Sequence, residues 1–67
     1  MISYAPLFKT MEDKKVTSYM LFQQGFSKAT YHSIRHGNSV SINTIDQLCR
    51  LLKCPVSGII EYIEEES

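Results

Sequence analysis

Sixty-seven residues, 43% of them hydrophobic, predict one globular domain over residues 1–67 and leave little room for a catalytic cleft. No apolar run approaches the roughly 20 residues that cross a bilayer, and no basic-then-apolar leader opens the chain, so a cytoplasmic protein without a membrane partner is expected. The net charge is zero, which excludes the large positive excess behind tight non-specific binding to nucleic acid. Glu61, Glu64, Glu65 and Glu66 nevertheless crowd the last seven positions. Residues 1 to 60 carry seven Lys or Arg against Glu12, Asp13 and Asp46, a balance of +4 and enough for a modest basic face.

Ile2–Ser3–Tyr4 is a β-prone alternation too short to stand alone. Pro6 suits the first turn of a helix, where its missing N–H costs nothing. Leu7, Phe8 and Met11 supply an apolar face, and Lys14 and Lys15 sit where cations complement a helix C-terminus. This predicts a first helix over about 6 to 14. Thr17 is an N-cap, and Val16 and Leu21 are spaced as the staple pair around it. The second helix then covers about 18 to 24. Gly25 supplies the positive φ of a sharp turn, Phe26 plugs the corner, and Ser27 caps a third helix over about 28 to 36. Gly37 ends it in the C′ position.

Ser41 caps a fourth helix whose Ile45, Leu48, Cys49 and Leu52 form one apolar stripe. Cys49 and Cys54 read as buried, reduced thiols. Pro55 interrupts, and a short fifth helix is expected around Val56 to Ile60. Glu61–Tyr62–Ile63 is a second β-prone alternation. Pairing it with the first would give a two-stranded ribbon that satisfies their backbone groups and covers the junction of the first and fifth helices, as part of the fold or of a dimer contact, with residues 65 to 67 left loose. The predicted fold is all-α, five helices, closed by that ribbon.

Residues 17 to 37, a capped helix, a glycine turn and a second capped helix, make up the helix-turn-helix pattern, a unit that fits the DNA major groove. On the third helix, 100° per residue, Tyr31 and Ile34 define the inward direction. Ala29 and His36 then point outward, His32 and Ser33 flank them, and Lys28 lies at the edge. Ser27 and Lys28 open the helix, where free amides favour a phosphate. Ala29 is either a plain helix former or a group able to touch a thymine methyl.

The stretch GFSKATYHSIRHGN, followed by SINTIDQLCRLLKCPVSGII, resembles the lambda-repressor-like Cro/CI-type (XRE) helix-turn-helix regulators over about residues 5 to 60. The resemblance implies five helices with the third in the major groove of double-stranded DNA. By position, Ser27, Lys28, Ala29, Thr30, His32, Ser33 and His36 match the DNA-facing segment. Thr17 and Ser18 match a helix start that commonly touches phosphate. Asn38 and Ser39 match a loop that often reaches the next one. Three departures stand out. The usual Leu–Ala of the second helix is spread over Tyr19, Met20, Leu21 and Phe22, which leaves its register open by one residue. Arg35 stands where the family often has a glutamate paired with a base on the first helix. Glu12 or Asp13 could pair with it in reversed sign, or Arg35 could be solvent-exposed or phosphate-binding. The long glutamines common on the recognition helix are missing, so no operator sequence carries over.

His32 and His36 also have the i, i+4 spacing of a zinc pair, but two further ligands are lacking and exposed polar contacts are the plainer expectation. No catalytic residue, metal or cofactor is expected. The acidic end reads as a solubilising terminus, with a mimic of DNA or an intramolecular screen of the basic face as the competing idea. The expected function is sequence-specific DNA binding that regulates transcription, by a homodimer reading two half-sites. The alternative is a protein-interaction module such as an antitoxin or phage accessory protein.

Overall fold

Hydroxyl side chains start three of the helices. The computed structural model describes residues 1–65, with β1 (Ile2–Ser3), α1 (Ala5–Lys14), α2 (Ser18–Gln23), α3 (Lys28–Arg35), α4 (Ile42–Leu52) and β2 (Glu61–Tyr62). Thr17, Ser27 and Ser41 each accept an amide hydrogen three residues on, from Met20, Thr30 and Thr44, all at 3.2 Å. Each such cap satisfies one orphan donor and contributes about 1 kcal/mol. At Thr17 the reciprocal bond goes to sulfur: its amide donates to Met20 Sδ at 3.5 Å, where a Glu or Gln oxygen is usual. α1 starts without a side-chain cap at Tyr4. Its first turn relies on Pro6, on the Ala5 amide donating to Ser3 Oγ at 3.1 Å, and on the Leu7 amide shared between the Tyr4 and Ile59 carbonyls.

The four described α-helices all end in the same way. An amide five residues on donates back to a carbonyl of the last turn: Val16 to Met11, Phe26 to Leu21, Asn38 to Ser33 and Cys54 to Cys49, at 2.8–3.1 Å. This Schellman bond requires a left-handed residue just before the donor. Glycine fills that place at Gly25 (φ 91) and Gly37 (φ 78), as the sequence predicts, whereas Lys15 (φ 57) and Lys53 (φ 52) fill it after α1 and α4. The paired residues are apolar in three of these ends, Met11 with Val16, Leu21 with Phe26, and Cys49 with Cys54. In the fourth, after α3, they are Ser33 and Asn38.

The expected fifth helix is a single 3-10 turn, Val56–Gly58, so the chain has four α-helices and a two-stranded sheet among the described residues rather than an all-α, five-helix fold. Gly58 is a poor helix former, and a long-range hydrogen bond ties the turn down. Thr10 Oγ1 donates to the Gly58 carbonyl at 2.7 Å. Gly58 also presses close: a Cβ there would stand 3.1 Å from Cys54 Sγ and 3.3 Å from Thr10 Oγ1. The turn is thereby clamped to α1.

The ribbon is present. β1 and β2 are antiparallel, Ile2 opposite Tyr62 and Ser3 opposite Glu61, and Met1 and Ile63 exchange both backbone bonds at 2.7 Å. It satisfies backbone groups but hides little apolar surface, since Ile2, Tyr62 and Ile63 stay exposed. The terminal residue that enters the core is Tyr4. The looseness expected for residues 65 to 67 falls mostly on Glu66 and Ser67, outside the described residues. Leu7, Leu21, Ile34, Leu48, Leu52 and Ile59 are fully buried, one or more from each α-helix and one from the segment after the 3-10 turn. Leu21 is the single buried residue of α2, which settles that helix's register. Cys49 and Cys54 are free and half-buried rather than buried. Burial, and then the Cys49 thiol, push the Cys54 thiol above its ordinary value, with Lys14 offsetting part of the rise.

Candidate nucleic-acid interface

The orientation of α3 follows from two inward side chains. Ile34 is buried and Tyr31 half-buried, while Lys28, Ala29, His32, Arg35 and His36 are exposed. Thr30 and Ser33 are half-buried, on the side of the outward face away from Lys28 and Arg35. The exposed strip is therefore narrower than the list drawn from the sequence, and Ala29, His32 and His36 occupy its middle. The two histidine rings meet edge to face with centroids 5.4 Å apart. Among the described residues no third His, Cys, Asp or Glu joins them.

The hydroxyls at the helix starts keep a free hydrogen. Thr17 and Ser27 are exposed and act as acceptors in their caps, so each O–H remains a donor that an anionic oxygen could take. Ser18 beside Thr17 is half-buried. Past α3, Asn38 and Ser39 are exposed. Both backbone groups of Asn38 are engaged: its amide bonds Ser33, and its carbonyl accepts the Tyr4 hydroxyl at 2.6 Å. Its side chain is left to act outward from a fixed backbone.

The charged flank of α3 lies on aromatic rings. Tyr31 meets Phe22 of α2 and Phe8 of α1 edge to face, at centroid distances of 5.6 and 6.5 Å. Lys28 Nζ sits 5.7 Å from the Phe22 centroid, and Arg35 Cζ 5.7 Å from that of Phe8. The reversed-sign pair between Arg35 and Glu12 or Asp13 does not form. Among the described residues the one ion pair is Arg50 with Asp46, on the exposed side of α4. Of the alternatives open for Arg35, the structure shows an exposed side chain beside a ring face.

Two residues near this flank escaped the sequence reading. Tyr19, 67% exposed, and Gln23 line a depression of about 520 Å³ with Ser18, Phe22 and Lys28, between α2 and the start of α3. Their i, i+4 spacing could have revealed them once Leu21 was recognised as the sole inward residue of α2.

A comparison with family models matches residues 7–65 to the Cro/C1-type HTH DNA-binding domain. No curated protein and no solved structure matches the chain. Among the described residues, no helix is long and apolar enough to cross a membrane.

Proposed function

Because the chain belongs to the Cro/C1-type helix-turn-helix DNA-binding domain family, we propose that it regulates transcription by binding double-stranded DNA as a homodimer, with α3 of each protomer in the major groove of one half-site. The observation that carries this is the outward face of α3. Ala29, His32 and His36 stand in a row of short side chains, with hydroxyl-capped helix starts to one side and the fixed Asn38 backbone beyond its end.

In this assignment Thr17, Ser18, Ser27, Lys28, Asn38 and Ser39 hold phosphates and set the register of the protein on the duplex. Ala29, Thr30, His32, Ser33 and His36 face base edges, with the half-buried Thr30 and Ser33 toward the groove wall across from Lys28 and Arg35. One module of this kind covers only roughly 600–1,000 Å² on DNA, so a second copy is needed for useful affinity. Ile42, 79% exposed, and Val56, 54% exposed, border one depression with Ile45, Cys49 and Ile60. An apolar surface of this sort suits contact with another polypeptide. A second copy is the occupant that the DNA-binding role requires.

The same surface supports the other reading, a module whose main partner is a different protein. Titration of mixed-sequence duplex DNA at several salt concentrations separates the two. Binding that weakens steeply with salt, followed by enrichment of one sequence from a random duplex pool, supports the DNA role. No duplex binding, with tight binding to a co-encoded protein, would favour the second.

A further inference from the structure

Lys28 and Arg35 are seven residues apart on α3. Two full turns bring them to nearly the same azimuth, about 10.5 Å apart along the axis. Each cation lies over a different phenyl ring, and both rings meet Tyr31 edge to face. Among the described residues neither cation has a carboxylate within ion-pair distance. Rings contributed by α1 and α2 thus support one basic edge of a helix contributed by neither.

A cation within about 6 Å of a ring centroid is held by the ring's quadrupole yet keeps its charge. A guanidinium beside a ring and without a carboxylate partner also keeps its N–H donors free, in the fork that matches phosphate oxygens. An ion pair with Glu12 or Asp13 would have neutralised Arg35. The ring orients it without doing so.

Resting on the DNA-binding role proposed above, we infer that Arg35 is a second phosphate-contacting cation, and that Phe8 and Phe22 are positioning residues holding Arg35 and Lys28 along one wall of the major groove. The two cations mark the ends of the recognition helix, and His32 lies beside them on the outward side. The phosphate strand facing this wall meets both before any base is read. Docking then needs little reordering of two long side chains.

The experiment is a salt titration of duplex binding by fluorescence anisotropy, with the full chain and a mixed-sequence duplex. For Arg35→Gln the slope of log affinity against log salt falls by about 0.9 per protomer, the loss of one phosphate contact. Arg35→Lys keeps the wild-type slope. Phe8→Leu also keeps the slope, because no charge is removed, but weakens binding by about two- to fivefold. In the Arg35→Gln background Phe8→Leu adds no further loss, as coupled residues require. An unchanged slope in Arg35→Gln overturns the phosphate role of Arg35. An equal Phe8→Leu effect with and without Arg35 makes Phe8 a packing residue and overturns its positioning role. Should Phe8→Leu fail to fold, the exposed Arg35 variants still decide the first point, and Phe22→Leu tested with and without Lys28→Ala decides the second. Absence of any salt-dependent binding by the wild-type chain would instead count against DNA binding itself.

Discussion

Gly37→Ala and Lys53→Gly should shift stability in opposite directions, although both act at the same place in a helix end. Gly37 has φ 78 and nothing within 4 Å of an added Cβ, so the cost of alanine there is purely one of backbone conformation. The left-handed region disfavours an L-residue by about 1–2 kcal/mol. Removing glycine's extra unfolded freedom returns about 0.4–1 kcal/mol. The net loss is about 1 kcal/mol, which for a domain of this size lowers Tm by about 4–8 °C. Lys53 already bears that conformational strain, at φ 52. Glycine relieves it, offset by the unfolded-state entropy and by a lost cation at the α4 C-terminus, about 0.3 kcal/mol or more. A gain of about 0.5 kcal/mol, or 2–4 °C, remains. Thermal melts followed by far-UV circular dichroism measure both. If Lys53→Gly lowered Tm as Gly37→Ala does, the left-handed geometry assigned to α4's end would be wrong.

Tyr4→Phe removes the hydroxyl bonded to the Asn38 carbonyl. A loss of about 1 kcal/mol, or roughly 4–8 °C in Tm, is expected with unchanged helical ellipticity, and a wild-type Tm would show that bond to be dispensable. Deleting residues 1 to 4 removes the ribbon partner and the buried Tyr4 ring together, and should lower Tm by about 10 °C or more; a drop no larger than that of Tyr4→Phe would deny the ribbon any part in stability. Cys54 holds its proton more tightly in the fold than in the unfolded chain, because burial and Cys49 raise it above the ordinary 9.0. Its contribution to stability is therefore complete below that value and declines as pH rises past it. Alkylation near pH 8, read by mass spectrometry, should be slower at Cys54 in the native protein than in denaturant, and equal rates would contradict the burial.

What the sequence made legible was local. Thr17, Ser27 and Ser41 announce their helices because a cap bond spans only three residues, and Gly25 and Gly37 announce their turns because few other residues take a positive φ. Lysine carries no such signal, so the left-handed Lys15 and Lys53 were invisible. The clamp on the 3-10 turn is illegible for a different reason. Nothing near Val56 reveals that Thr10, forty-eight residues before Gly58, donates to the Gly58 carbonyl and ties the turn to α1. The ring support under Lys28 and Arg35 was hidden likewise, since Phe8, Phe22 and Tyr31 come from three helices and share no period. Most of the outward face of α3 could be read from its wheel, while the half-buried state of Thr30 and Ser33 depends on neighbours that a wheel does not include.

The two hydroxyls that grip distant carbonyls stand at the entrance and the middle of one short rod. Tyr4, at the entrance of α1, holds the loop that follows α3, and Thr10, about 9 Å farther along the same helix, holds the turn that follows α4. A protomer that met its twin near Val56 would thus relay the separation between copies to its groove-reading end through one helix and two side-chain bonds to backbone carbonyls. Operators with half-sites one helical turn apart, about 34–36 Å, leave small tolerance in such a gauge. Inserting or removing a base pair between half-sites should then be punished more heavily than altering a base within one.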